Sequence, residues 1–131
     1  MTKQVLDVGN CSFDHRNIKQ WIESHFDASV IRANNQEDAI STLRSSDFAL
    51  VLVNRVFHQD GSEGFDLIST IKSDPQLKGV PAMLISDFED YQRRAIEGGA
   101  EPGFGKKTLR SPETRQRLSK ILDIASPDSS S

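Results

Sequence analysis

Five short apolar runs, separated by helical patterns, constrain the fold of this chain more than any other feature. The runs lie at residues 5–8, 28–31, 49–53 and 82–85, and around Phe104. Between them apolar residues recur three and four positions apart, as Ile18, Trp21 and Ile22 do, which is the spacing of one helix face. Strands that alternate with helices in this way predict a parallel sheet with helices on both faces.

Residues that favour helix ends lie at the borders of these helical patterns. Asn35 precedes "QEDAI" and is a favourable N-cap, since its side chain can accept a backbone hydrogen bond. Gly98 and Gly99 follow the fourth helical pattern and favour a helix end. Ser111 followed by Pro112 is typical of the start of a helix. These signals predict where the second, fourth and fifth helices begin or end.

The composition indicates a soluble globular chain with one domain. It has 131 residues, of which 27% are charged and 36% hydrophobic. We expect the domain to cover residues 1–125 and the serine-rich residues 126–131 to form a disordered tail. No apolar run approaches the roughly 20 residues that span a bilayer. With the single cysteine Cys11, which excludes an internal disulfide, these features favour the cytoplasm.

The net charge of −3 conceals an uneven distribution along the chain. Residues 93–122 contain eight Lys or Arg against three Asp or Glu. This excess indicates either a basic face for an acidic partner or ordinary solvated helix faces. Nucleic acid is not an expected partner, because the basic residues are dispersed and few aromatic residues lie among them.

The residues that follow each strand are the candidates for a functional site. In open parallel sheets, ligands bind beyond the carboxyl ends of the strands, where the strand order reverses. Here those positions hold mostly small, amide, hydroxyl or charged residues, namely Gly9, Asn10, Asn54, Ser86, Asp87, Lys106 and Lys107.

Three segments carry a resemblance to a known family. They are "NNQEDAI", "IKSDPQLKGVPAMLIS" and "AIEGGAEPGFGKKTL", in this order and spacing. Over residues 3–124 the chain resembles the chemotaxis-type receiver domain of bacterial response regulators. The resemblance implies a flavodoxin-like α/β fold, a (βα)5 three-layer sandwich whose parallel strands have the order 2-1-3-4-5.

The chemistry of that family requires acids that this chain lacks. The family uses a carboxylate after the third strand as phosphoacceptor, and two acids after the first strand complete a Mg²⁺ site. The resemblance assigns the phosphoacceptor position to Asn54 and the acid pair to Gly9 and Asn10. An amide is uncharged and its oxygen is a poor nucleophile, so we expect no catalytic residue, no metal and no cofactor.

The phosphate-binding half of the site is retained in the resemblance. The family's hydroxyl residue falls on Ser86 and its lysine on Lys107, with Lys106 as the alternative because the segment is one residue longer than usual. One hypothesis is that Asn54 hydrogen-bonds Lys107 or Ser86 directly and holds the site in one state. Phe104 falls at the position of the family's aromatic switch residue, and it is equally an ordinary core aromatic.

The expected function is that of a degenerate receiver domain, which binds signalling proteins without phosphorylation and is not an enzyme. Without an output domain it would act through protein contacts in trans. The family's partner face comprises the fourth helix, fifth strand and fifth helix. The partner would be an acidic signalling protein or a second copy of the chain, and the basic residues expected on the face are Arg93, Arg94, Lys106, Arg110 and Arg115.

The sequence leaves two alternative functions open. The first is phosphorylation on a different acid, namely Asp7, Asp60 or Asp87. We expect Asp7 to reach solvent at a strand end or a gap between helices, since a buried charge without a partner is costly. The second is a small flavodoxin-like ligand-binding protein, although "DVGNCSFD" has no glycine-rich phosphate loop. The loop after Asn54 also departs from the family, because Gly64 comes two residues late.

Overall fold

The computed structural model describes residues 2–123 as five strands and five helices in strict alternation. The strands are β1 Lys3–Val8, β2 Ala28–Ala33, β3 Leu50–Asn54, β4 Ala82–Ile85 and β5 Glu101–Phe104. The helices are α1 Ser12–His25, α2 Gln36–Ser45, α3 Gly64–Ser73, α4 Glu89–Glu97 and α5 Pro112–Leu122, with a one-turn 3-10 helix at Lys106–Thr108. The tail predicted at residues 126–131 lies outside the described residues.

The strands form one parallel sheet in the order β2-β1-β3-β4-β5. This order confirms the predicted flavodoxin-like α/β fold. The strand order reverses at β1, so β1 and β3 are neighbours in the middle of the sheet. Val8 at the end of β1 is in register with Val53 of β3, and Asn54 is in register with Ile85 of β4. The carboxyl ends of these strands therefore meet at one edge of the sheet.

Alternate residues of each strand enter two separate core layers. On one face Val5 and Leu52 pack with Ile18 and Trp21 of α1 and with Leu118 of α5. The opposite face packs against α2, α3 and α4 through residues including Leu6, Val8, Val51 and Val53. Burial on both faces explains why the strands are continuous apolar runs rather than alternating ones.

The predicted helix ends are confirmed where side chains make the cap. The Asn35 side chain accepts a hydrogen bond from the Asp38 backbone N–H at 2.8 Å. The Ser111 hydroxyl accepts from the Thr114 backbone N–H at 3.2 Å. Caps of this kind contribute about 1 kcal/mol each. Among residues 2–123, no helix is both long and apolar enough to cross a membrane.

The pairing of β4 with β5 contains a β-bulge. Met83 is in register with Glu101, but Ile85 is in register with Phe104, so β5 has one residue more than β4 over this interval. Phe104 consequently lies in the core beside α1 and α5 and is 2% exposed. The structure thus confirms Phe104 as a core aromatic, and a switching role for it stays a prediction.

The side chain of Gln92 in α4 bridges this bulge. Its Nε2 donates to the backbone oxygens of Leu84, at 2.8 Å, and Ser86, at 3.1 Å. Its Oε1 accepts from the Gly103 backbone N–H at 3.0 Å. One amide therefore satisfies backbone groups of both strands and attaches α4 to them.

Candidate functional site

The segments that follow β3, β4 and β5 border an open cavity of ≈ 250 Å³ at one edge of the sheet. The lining residues are Asn54, Arg55, Val56, Ile85, Ser86, Asp87, Phe88 and Lys106. The fold therefore brings together three of the predicted site residues, Asn54, Ser86 and Lys106. Gly9 and Asn10, which follow β1, are joined to this edge by a hydrogen bond from Asn54 Nδ2 to the Gly9 backbone oxygen, 3.2 Å long.

Lys106 forms an ion pair with Asp14, a residue in the first turn of α1. Lys106 Nζ lies 2.8 Å from Asp14 Oδ2, and Cys11 Sγ donates to the same oxygen at 3.4 Å. Burial alone would raise the pKa of the Asp14 carboxyl, but the hydrogen bond and charge of Lys106, with smaller contributions from Cys11 and His58, together outweigh burial and hold this pKa below its usual value. The negative charge beside the lysine thus comes from a helix and not from a strand end.

The structure separates the two lysines between which the sequence was ambiguous. Both lysines are exposed, but Lys106 lines the cavity, whereas the backbone N–H of Lys107 donates to Asp87 Oδ1 at 3.1 Å. Of the two candidates, Lys106 is therefore the one beside the cavity, and the assignment of the family's lysine role to either residue stays a prediction.

Ser86 and Arg55 also line the cavity and already have partners within the protein. The Ser86 hydroxyl accepts from the Phe88 backbone N–H at 3.2 Å. The guanidinium of Arg55 lies 3.6 Å from the Glu63 carboxylate, and its Cζ is 4.4 Å from the centroid of the Tyr91 ring. Ser86 is thus retained at the predicted place, where it makes a cap-like contact before α4.

The Asn54 side chain is held by two backbone oxygens. Its Nδ2 donates to Val56 at 2.7 Å and to Gly9 at 3.2 Å. Since both partners accept hydrogen bonds, the side chain at position 54 must present a donor. Among the described residues it makes no hydrogen bond to Ser86 or Lys107, so the hypothesis of such a direct contact is wrong. Asn54 instead ties the loop that follows β3 to the end of β1.

The two positions after β1 hold a glycine without space for a side chain and a buried amide. Gly9 has a φ of +86°, and a Cβ built on it would lie 2.3 Å from Cδ1 of Phe57. Asn10 is 1% exposed, and its Nδ2 donates to Asp7 Oδ1 at 2.5 Å. Asn10 Oδ1 is buried without a hydrogen-bond partner in residues 2–123. Neither residue therefore supplies a carboxylate to this edge of the sheet.

The residues at this edge do not fit the Mg²⁺ that the family resemblance implies for a phosphorylated receiver. Mg²⁺ in such sites is bound through carboxylates and water in octahedral geometry. In the part of the chain that the structure describes, no group of three or more His, Cys, Asp or Glu side chains could hold a metal ion. Gly9, Asn10 and Asn54 offer no charge that would replace those carboxylates.

Asp7 is completely buried, contrary to the expectation of solvent access. Its Oδ2 lies 2.8 Å from His15 Nδ1, and its Oδ1 accepts the hydrogen bond from Asn10. The first turn of α1 places His15 against β1, which removes the gap that was expected there. Both oxygens of Asp7 are engaged inside the protein, so this acid is poorly placed to act as an alternative phosphoacceptor.

The two other acids considered as alternatives are exposed. Asp60 lies in the turn before α3 and accepts from the Ser62 backbone N–H at 2.9 Å. The hydrogen bonds from Ser62 hold the pKa of the Asp60 carboxyl below its usual value. Asp87 lies at the cavity itself and accepts from Lys107. Of the three acids, Asp87 is therefore the one that combines exposure with the predicted site.

Two residues of the predicted basic face are engaged elsewhere. Lys106 belongs to the cavity, and the Cζ of Arg94 lies 4.1 Å from the centroid of the Phe65 ring in the first turn of α3. All five predicted residues are exposed, and Arg93 also lies 3.5 Å from the Asp90 carboxylate in the same helix. Three of the five, Arg93, Arg110 and Arg115, therefore lie outside both the cavity and the contact with Phe65.

A groove lies between α4 and α5 along β5, and acids contribute to its lining. Asp87, Glu89 and Glu113 line it, and Arg117 is its basic residue. Arg117 Nη1 donates to the Gly103 backbone oxygen at 2.5 Å, so this guanidinium has a partner in the protein. None of the five predicted basic residues lines the groove.

Comparisons with known proteins give no match by sequence family and many matches by structure. No family model matches the chain, and the search of curated proteins also found no match. Among solved structures, a response regulator from Thermotoga maritima matches with a TM-score of 0.76 and 23% identity, over 94% of this chain and 99% of that chain.

Two further structures give the same result. The signal receiver domain of a DNA-binding response regulator from Colwellia psychrerythraea matches with a TM-score of 0.76 and 23% identity, over 92% of this chain and 98% of that chain. The chemotaxis response regulator CheY4 of Vibrio cholerae matches at 0.69 and 15%, over 94% and 98%. The chain thus has the fold of response-regulator receiver domains.

The substitution Asn54→Asp tests the need for a donor at position 54. It would direct a carboxylate at the backbone oxygens of Gly9 and Val56, and we expect a loss of about 1–3 kcal/mol in the free energy of unfolding at neutral pH. The loss should shrink near pH 4, roughly the ordinary pKa of the carboxyl, because a protonated carboxyl regains a donor. Urea denaturation at both pH values measures this difference.

Asn35→Asp is the matched control, because the Asn35 side chain oxygen accepts a hydrogen bond at a helix N-cap, where a carboxylate serves equally well. The Asn35 amide also donates to Gln59 Oε1, but this contact is exposed and the Gln59 amide can rotate to donate to a carboxylate instead. We expect it to change stability little at either pH. An Asn54→Asp variant as stable as wild type at neutral pH would contradict the assigned role of the amide.

Removal of either lysine tests which of them belongs to the site. Lys106→Met removes the ion pair with Asp14, which is partly exposed, so we expect a loss of about 0.5–1 kcal/mol. Because the folded protein lowers the Asp14 pKa, the contribution is present above the unfolded-state pKa and is lost as pH falls through the folded-state pKa. The difference between wild type and variant should therefore be largest at neutral pH and low salt.

Lys107→Met is the control, since its backbone N–H makes the contact with Asp87 and survives the substitution. A larger loss for Lys107→Met than for Lys106→Met, measured by urea denaturation, would show that the assignment of Lys106 to the site is wrong.

Proposed function

We propose that this chain is a degenerate, chemotaxis-type receiver domain, which acts in two-component signalling as a phosphorylation-independent binding module. The observation that carries the proposal is Asn54, whose Nδ2 donates to two backbone oxygens at the position where a receiver has its phosphoacceptor. Aspartyl phosphorylation requires an anionic carboxylate as nucleophile. An amide at this position does not attack a phosphoryl group. Its nitrogen is engaged in the two hydrogen bonds, and it brings no negative charge that would bind a metal ion.

The state of Lys106 supports the same proposal. In a working receiver the equivalent lysine binds the phosphoryl oxygens, whose charge is about −1.5 to −2 at neutral pH. Here the Lys106 ammonium is neutralised by Asp14 at 2.8 Å. The ion pair joins α1 to the segment after β5 without any phosphoryl group. On this proposal the chain is not an enzyme, needs no cofactor and works in the cytoplasm.

We further propose that the partner binds the face formed by α4, β5 and α5. Arg93, Arg110 and Arg115 are its exposed basic residues, and they suit an acidic signalling protein. The same partner would also place basic groups against Asp87, Glu89 and Glu113, the acids that line the groove between α4 and α5. A second copy of the chain is the other candidate partner.

A pull-down from a lysate of the source organism tests the face. Arg93→Glu/Arg115→Glu reverses two exposed charges on α4 and α5 and leaves Arg94 in its contact with Phe65. We expect the variant to lose partners that wild type captures, and the captured set to be the same with and without a small phosphodonor and Mg²⁺. Quantitative mass spectrometry of the captured proteins provides the comparison.

Arg16→Glu/Lys78→Glu is the matched control, because both residues are exposed and lie outside α4, β5 and α5. If Arg93→Glu/Arg115→Glu captures the same proteins in the same amounts as Arg16→Glu/Lys78→Glu, the proposed face is contradicted. A captured set that changes with phosphodonor, and no longer does so after Asp87→Asn, would favour the alternative function, a receiver phosphorylated at Asp87.

A further inference from the structure

The loop between β3 and α3 folds back onto the end of β1. The His58 backbone N–H donates to the Gly9 oxygen at 2.8 Å, and Asn54 Nδ2 donates to the same oxygen. Within the loop, Phe57 N–H donates to Ser62 at 2.8 Å and its carbonyl accepts from Gly61 at 2.8 Å. These contacts fix the backbone on both sides of Phe57.

The ring of Phe57 consequently lies against Gly9. Phe57 is 1% exposed and packs in the core with residues that include Val8 and Val53. A Cβ on Gly9 would lie 2.3 Å from Cδ1, 2.8 Å from Cγ and 3.0 Å from Cε1 of the ring. Carbon atoms that are not bonded do not approach so closely, so any side chain at position 9 would displace the ring.

We infer that Phe57 excludes a cation site from this edge of the sheet by occupying the space that a side chain at position 9 would need. The inference rests on the proposed function and deepens it. It implies that carboxylates placed at positions 9 and 54 do not restore Mg²⁺ binding while the ring remains. Phe57, together with the missing acids, therefore determines that the site takes no metal.

A turn within the loop gives this arrangement its physical basis. Gly61 has a φ of +73°, which a glycine adopts readily. The turn at Gly61 reverses the chain, and Val56 forms an antiparallel bridge with Glu63. The loop thus closes on itself and buries Phe57 against β1.

A double-mutant cycle tests the contact in an otherwise native chain. Gly9→Ala is made in wild type and in Phe57→Ala, and the urea midpoint of each variant is measured. Because the ring is the obstacle, the decrease in midpoint caused by Gly9→Ala should be at least halved when Phe57 is alanine. An equal decrease in both backgrounds would overturn the inference.

Gly61→Ala is the matched control for backbone conformation. Gly61 has a positive φ like Gly9, but a Cβ on it would have no atom within 4 Å. The decrease in urea midpoint caused by Gly61→Ala therefore measures the penalty of placing alanine at a positive φ, without a steric clash. We expect Gly9→Ala to be more destabilising than Gly61→Ala in wild type and similar to it in the Phe57→Ala background.

Restoring acids tests the consequence for metal binding. Gly9→Asp/Asn54→Asp is compared with and without Phe57→Ala, and Asn10 stays unchanged because its amide donates to Asp7. Two carboxylates suffice for Mg²⁺, which keeps several waters. Calorimetric titration should give saturable Mg²⁺ binding when Phe57 is alanine and none when it is kept.

The inference would be overturned if the acid variants with and without Phe57→Ala bound Mg²⁺ equally. It would also be overturned if both variants folded and neither bound Mg²⁺. If the acid variants do not fold, the double-mutant cycle still tests the steric contact on which the inference rests, and an equal decrease in both backgrounds overturns it. Phosphorylation of the wild-type protein would defeat the proposed function but would leave the coupling between Gly9 and Phe57 unchanged, so the two failures are distinguishable.

Discussion

The hydrogen bonds from Asn54 to the backbone oxygens of Val56 and Gly9 are the contact on which this edge of the sheet depends. They join the end of β3 to the end of β1 and orient the loop that carries Phe57. A carboxylate at position 54 would repel both oxygens, whereas the amide satisfies them. On the proposed function, the amide that stands at the phosphoacceptor position therefore also supplies the donor that holds the loop closed.

Two acids near this edge have partners within the protein. Asp7 is buried with His15 and Asn10, and Asp14 is paired with Lys106. A buried charge without partners is strongly unfavourable, which explains why both oxygens of Asp7 are engaged. Each of these two carboxylates thus has a partner that competes with any cation or phosphoryl group.

The sequence predicted the alternation of strands and helices well because periodicity and helix caps are local signals, and the caps at Asn35 and Ser111 are present as expected. The strand order, which the family resemblance implied, is also confirmed. The sequence left the two lysines open, and the place of Lys106 at the cavity depends on how the segments after β3, β4 and β5 pack together. The burial of Asp7 and of Phe57 depends on which segments pack against β1, and no local pattern carries that information.

Phosphoryl transfer to the unmodified protein tests the central claim most directly. Wild type is incubated with a small phosphodonor and millimolar Mg²⁺, beside a phosphorylatable receiver domain as positive control, and intact masses are measured. A site with Asn54 at the acceptor position and Phe57 against Gly9 predicts no gain in mass. A gain of one phosphoryl group, dependent on Mg²⁺ and abolished by substitution of a single acid, would contradict the account.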